Sequence, residues 1–249
     1  MREKTDASKL RDGRGLLIDN VYEAWKTARE SKSTGTAYAV YDLIQKRTVN
    51  LLSVGEKKVF WALRYLTAGK ILEQFPMGAE TTALACEELG VRKYSRILST
   101  DLLVEKDSGE LVAFSVKPNA SVFDQKSRNG PGNVTRAAVE AQYWSHYGIP
   151  HKVVYSDEIN VDLAMNIRDV MLFWDDTLVR DPASMLMYLI AHKAIRLPLD
   201  KGRIQFKTIA EKIPVEDYYE TYSRCKDDPN FCGWLIDISE RHPVPYSQP

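Results

Sequence analysis

Asp101 and Lys117 are the residues whose type and setting point most directly to chemistry. Asp101 lies inside the apolar run 96–105 (RILSTDLLVE), and Lys117 closes a second run, 111–118 (LVAFSVKP). The link between them, 105–110 (EKDSGE), carries the Asp-x-Gly chemistry of a tight reversal, so the two runs read as a β-hairpin. Burying a carboxylate in an apolar strand is costly unless something cationic binds it. Strand residues two apart share a face. Ser115 and Lys117 therefore point one way and Phe114 and Val116 into the core, while Ser99, Asp101 and Leu103 share a face of the partner strand. Asp101 can then face Ser115 or Lys117.

That arrangement suits phosphodiester hydrolysis. A hard divalent cation takes oxygen ligands, and Asp101 supplies one, with the Val116 backbone carbonyl as a second. Such an ion polarises a phosphoryl oxygen and acidifies a bound water. Lys117 can orient or deprotonate that water, or balance charge developing on phosphate. The plainer alternative is a cross-strand ion pair worth ~0.2–1 kcal/mol, with Ser99 and Thr100 holding Asp101 by hydrogen bonds. Glu56 is a further candidate carboxylate. It also has a structural reading, because Ser53-x-x-Glu56 is a capping box in which Glu56 returns to the Ser53 N–H at a helix start. The two roles are compatible, since a helix start can aim a carboxylate at a neighbouring hairpin.

The elements that must position these groups follow from periodicity. Residues 53–68 form a helix, with Val59, Phe60, Leu63 and Leu66 at helical spacing and Gly69 as a stop. A strand over 70–76 ends at Pro76, and a short helix over 82–89 ends at Gly90. Beyond the hairpin, 134–147 is helical and 149–155 is a strand. Upstream, a helix is expected over 16–29, and strands over 37–44 and 48–52. The order indicates an α/β domain with a mixed sheet. Asp181-Pro182 opens a helix reaching to Pro198, and two short helices over 208–213 and 215–225 meet at Pro214. The domain reading is a catalytic unit over 1–170, its core about 51–160, followed by a small, mostly helical unit over 171–249. In the latter, 208–224 has a helix-turn-helix-like pattern, with Tyr218, Tyr219 and Tyr222 placed to pack or to touch a partner.

Composition excludes little. The 249 residues carry 34 Lys+Arg and 34 Asp+Glu, so no net charge advertises a nucleic-acid partner, although a basic groove can sit inside a neutral total. Basic residues near the presumed site, Lys57, Lys58, Arg92, Lys93, Arg96, Lys126, Arg128 and Arg136, are candidates for phosphate contacts; most such charges on any protein face water. Three cysteines at spacings that fit no zinc template suit a reducing cytoplasmic compartment. The four histidines show no ligand spacing, and the five tryptophans read as core. The polar start leads to no signal region, and no run approaches the ~18 apolar residues of a membrane span.

A series of short segments occurs in order: 51–60 (LLSVGEKKVF), 71–76 (ILEQFP), 99–104 (STDLLV), 115–118 (SVKP), then Tyr143-Trp144, Ile149-Pro150 and 157–160 (DEIN). The set resembles the TnsA endonucleases of heteromeric cut-and-paste bacterial transposons, nucleases of restriction-endonuclease-like fold. The resemblance implies a mixed sheet flanked by helices, with a helical C-terminal part. It implies a magnesium-dependent nuclease (manganese as a substitute) that cuts the 5′ ends of a transposon. The expected partners are double-stranded transposon-end DNA, a TnsB-like transposase and a TnsC-like AAA+ ATPase, in a bacterial cytoplasm and with no membrane. Glu56, Asp101 and Lys117 fall on the family's catalytic positions, and Glu140 on a secondary acidic helix position that a solvated helix charge would explain equally well. One departure stands out. Ser115 occupies a position where the wider superfamily carries Asp or Glu and TnsA carries Gln; as a neutral, poorer ligand it shifts metal binding onto Glu56, Asp101, Val116 and water. Two other readings stay open: another nuclease of this fold, in repair or phage DNA processing, and a catalytically weakened scaffold subunit.

Overall fold

The computed structural model describes residues 4–18, 21–30, 36–195, 197 and 202–206. The expected helices at 208–213 and 215–225, with the helix-turn-helix pattern, lie outside them. At the centre is a four-stranded mixed sheet, β5 (Ile71–Pro76), β6 (Ser99–Glu105), β7 (Leu111–Lys117) and β8 (His151–Tyr155), in that spatial order. The first two pairings are antiparallel and β7 with β8 is parallel. The parallel step needs a crossover, which α4 (Gly130–Ser145) provides.

Alternation along the hairpin builds one core on each face. Leu102, Val104, Val112 and Phe114 face α2 (Val54–Leu66), α5 (Val161–Met171) and α6 (Pro182–Ala191). Leu103 and Ala113 face the other way, toward α3 (Ala79–Glu88) and α4, packing with Cys86, Val139, Tyr143 and Trp144. The result is mixed α/β with helices on both faces, consistent with a restriction-endonuclease-like fold. The hairpin of β3 (Tyr38–Asp42) and β4 (Arg47–Leu51) lies where its two strands were expected. The α6 side chains Leu186, Leu189 and Ile190 join the same core cluster as α2 and α5. Among the described residues no helix is long and apolar enough to cross a membrane.

Two readings of the sequence need correction, and one helix was not anticipated. The helix expected over 16–29 is absent: the short strands β1 (Leu17–Ile18) and β2 (Val21–Tyr22) and a 3-10 turn at Ala28–Glu30 stand there. Leu16, Leu17 and Val21 are exposed, while Tyr22 and Trp25 are drawn into tertiary contacts that a helix would not allow. Trp25 is fully buried and its backbone N–H donates to the Gln74 carbonyl at 3.2 Å, while the Tyr22 hydroxyl donates to the Glu73 carbonyl at 2.8 Å. The segment thereby covers the outer edge of β5. Second, α6 stops at Ala191 rather than at Pro198, because the chain turns at Lys193, which adopts φ +61°. The unanticipated helix, α5, starts at Asn160, whose Oδ1 accepts the Asp162 N–H at 2.7 Å, and it buries Leu163, Ile167 and Val170.

Candidate active site

Glu56 lies in the first turn of α2. Ser53 caps that helix, its Oγ accepting the Glu56 N–H at 3.0 Å. The carboxylate does not return to the Ser53 N–H, as a regular capping box would. It accepts from the Leu52 N–H at 2.8 Å and from the Ser53 hydroxyl at 3.2 Å. Gly55 lets the helix start sit this deep, since a Cβ there would come within 2.7 Å of Ser156 Oγ. Burial raises the Glu56 pKa most, and the nearby charge of Asp101 adds to it, taking it to about 8. Two carboxylates so placed repel unless a proton or a cation joins them.

Asp101 reaches the same place from the sheet. Its Oδ2 accepts the Val116 N–H at 2.7 Å and lies 3.9 Å from the Lys117 ammonium. Its Oδ1 accepts from the Gln74 amide at 3.4 Å, and the same amide nitrogen lies 3.4 Å from Glu56 Oε2. The hairpin thus brings Asp101 and Lys117 together, and α2 adds Glu56.

Gln74 is the residue that sequence reasoning missed. It is 4% exposed and adopts φ +48°, a left-handed conformation uncommon outside glycine. The β5–β6 register runs from Ile71↔Val104 to Pro76↔Ser99 but skips the pair Gln74 and Asp101. Alternation slips on both strands there. Leu72 and Phe75, three residues apart, pack on the same core. Thr100 accepts the Trp144 indole N–H at 2.8 Å on the α4 side, although Leu102 faces the α2 side. A common face for Ser99, Asp101 and Leu103 presumed an unbroken strand and does not hold. The only available signal was a polar glutamine in the otherwise strand-like ILEQFP run.

Ser115 turns away from this centre. Its hydroxyl donates to Glu140 Oε2 and lies 3.0 Å from His151 Nε2. Glu140 is 1% exposed, so it is no solvated helix charge; its other oxygen accepts from Arg136 Nε at 2.7 Å. Burial would raise the Glu140 pKa, but the His151 hydrogen bond and the Arg136 and Lys117 charges more than offset it, holding the carboxyl well below its usual range. Ser115, Glu140 and His151 therefore form a buried polar cluster with the half-buried Arg136 at its edge, and the Glu140 charge lies in the field of Lys117. His151 was not singled out in the sequence, because its partners come from β7 and α4.

The basic residues divide. Lys57 lies over the Tyr38 ring at 4.0 Å, Lys58 donates to the Ile159 carbonyl at 2.8 Å, and Arg136 also donates to the Ser99 carbonyl at 3.0 Å. Lys93 pairs with Glu87 at 3.1 Å. Arg92 and Arg96 are exposed, and Arg96 lines a pocket with Asp6, Thr82 and Tyr94. Lys126 and Arg128 are exposed in the loop leading into α4.

Among the described residues no group of three or more His, Cys, Asp or Glu side chains is arranged to hold a metal ion. The available donors are two carboxylates with backbone and water. That set fits magnesium, which keeps several waters and binds through one or two carboxylates. The structural sign of the fit is geometric: Glu56 Oε2 and Asp101 Oδ1 converge on one point, each 3.4 Å from the Gln74 amide nitrogen.

No family model matches the chain. Among curated proteins it is similar to the transposon Tn7 transposition protein TnsA of Escherichia coli, 30% identical over 169 residues, covering 65% of this chain and 60% of that protein. The chain thus spans less than two thirds of the relative's length. Over that stretch the chain is TnsA-like in sequence.

Proposed function

We propose that this protein is a metal-dependent DNA endonuclease that cleaves the 5′ ends of a transposon during cut-and-paste transposition. The observation that carries the reading is the convergence of Glu56, Asp101 and Lys117 from three separate elements in a TnsA-like chain. Glu56 and Asp101 would hold Mg2+ or Mn2+, with the Val116 carbonyl and water completing the donor set. When bound, the ion would polarise a phosphoryl oxygen and supply an acidified water at neutral pH. Lys117, tethered by Asp101 at one side and by the field of Glu140 at the other, orients that water or balances charge on the phosphate. Ser115 acts at one remove, since its hydroxyl fixes Glu140 rather than contacting the carboxylate pair. Lys126 and Arg128, exposed in the loop before α4, are placed to meet DNA phosphates more freely than Lys57, Lys58 or Arg136, whose cationic groups already rest on protein atoms.

The proposed partners are double-stranded transposon ends, a TnsB-like transposase and a TnsC-like ATPase, with the region beyond residue 170 as the part that meets the ATPase and DNA. The test is cleavage of a supercoiled plasmid bearing transposon ends, with and without both partners. Strand-specific 5′ cuts that need both partners and are lost in Asp101→Ala and in Lys117→Ala support the reading. Cutting that is independent of partners, or that survives both substitutions, overturns it.

A further inference from the structure

We propose that Gln74 is a positioning residue of the nuclease site, its amide aligning Glu56 and Asp101 for the cation. The inference rests on the metal-dependent reading above and assigns a role to a residue that reading does not need. Three observations carry it. The Gln74 amide nitrogen lies 3.4 Å from both Glu56 Oε2 and Asp101 Oδ1, so one NH2 group serves both carboxylates. Its orientation is set from behind, because Ser99 Oγ donates to Gln74 Oε1 at 3.1 Å, which leaves the NH2 as the end facing the carboxylates. The backbone is distorted to bring the amide there: φ is +48°, and the ladder skips the Gln74–Asp101 pair although it is intact on both sides.

A non-glycine residue in this conformation costs on the order of 1 kcal/mol or more, and such strain persists where the surroundings over-determine it. An ordinary ladder pair would keep strand alternation through residues 74 and 101. The slip is what allows both side chains to meet the α2 N-terminus. Gln74 is also a neutral donor between two acids. It relieves part of their repulsion without supplying a cation that would compete with the metal, as lysine or arginine would. Groups that orient metal-binding carboxylates in this way change metal affinity by ~10–100-fold when removed.

The experiment is a Mg2+ titration of the purified full chain without DNA, followed by calorimetry, with Mn2+ titrations followed by electron paramagnetic resonance. Gln74→Met keeps the length of the side chain and removes its donors. Gln74→Gly removes the donors and relieves the left-handed backbone, so it guards against a variant that fails to fold. Both are expected to weaken Mg2+ and Mn2+ binding at least about tenfold, while Gln74→Gly unfolds at a temperature no lower than Gln74→Met. Affinity within twofold of wild type in either folded variant overturns the role of Gln74 and leaves the nuclease reading standing. Absence of Mg2+ and Mn2+ binding in the wild type, with Asp101→Ala behaving identically, overturns the metal reading itself and this inference with it.

Discussion

Glu56→Gln provides the sharpest test of the electrostatics, because its effect on stability should change sign with pH. In the folded protein without metal the Glu56 pKa is raised from 4.5 to about 8, by burial first and by Asp101 second. The folded state therefore binds the proton more tightly than the unfolded chain. Below pH 4.5 the group is neutral in both states and there is no penalty. Between 4.5 and 8 the unfolded chain releases the proton while the fold retains it, so stability falls with rising pH, and above 8 the loss is complete. At about 1.36 kcal/mol per unit, the full effect is on the order of 5 kcal/mol. Glutamine abolishes the titration, but its amide cannot accept from both the Leu52 N–H and the Ser53 hydroxyl as the carboxylate does, a loss of roughly 1–2 kcal/mol. Urea unfolding in EDTA should then find Glu56→Gln about 1 kcal/mol less stable than wild type at pH 5 and about 3 kcal/mol more stable at pH 9. Saturating Mg2+ at pH 9 should raise the wild type by about 2.7 kcal/mol at a hundredfold excess over Kd and leave the variant nearly unmoved. A stability difference that stays constant from pH 5 to 9 would refute the argument, since it would mean that Glu56 ionises alike in both states.

Asp101→Asn should abolish end cleavage while leaving the fold intact, because the amide oxygen can still accept the Val116 N–H; circular dichroism and the plasmid assay together check it. Thr100→Val should destabilise by about 1–3 kcal/mol in chemical denaturation by stranding the buried Trp144 indole N–H, and Trp144→Phe in the same chain should not add the full cost of a second lost hydrogen bond. Gly55→Ala should cost about 1–3 kcal/mol, because its Cβ would meet Ser156 Oγ at 2.7 Å, and Ser156→Gly should recover part of that loss. The Lys126→Ala, Arg128→Ala pair should weaken DNA binding uniformly across sequences and flatten the salt dependence by up to about two units in slope, measured by fluorescence anisotropy over a salt series.

Periodicity alone determined the central sheet, because its strands and helices bury apolar residues at the spacing their local geometry requires. The hairpin around Asp101, the helix that starts at Ser53 and the crossover helix with Tyr143 and Trp144 all stand where that spacing put them. Residue type and setting likewise singled out Asp101 and Lys117 as candidates, whereas Glu56, a cap residue by spacing, joined them through the family resemblance. Local pattern failed where a residue's environment is set by distant chain. Leu16 to Arg29 had helical spacing, yet Tyr22 and Trp25 are tied to the carbonyls of Glu73 and Gln74, and no window of sequence contains both ends of those bonds. The orientation of Ser115 toward Glu140 and His151 depends on α4 lying over β7. Tertiary structure also decided the break in alternation at Gln74 and Asp101. A period-two reading assumes that each strand residue takes the extended conformation, and the left-handed Gln74 violates it at one point. From that point onward every side chain changes face, and the break brings two carboxylates onto one buried amide while Asp101 keeps its pairing with Lys117 at 3.9 Å.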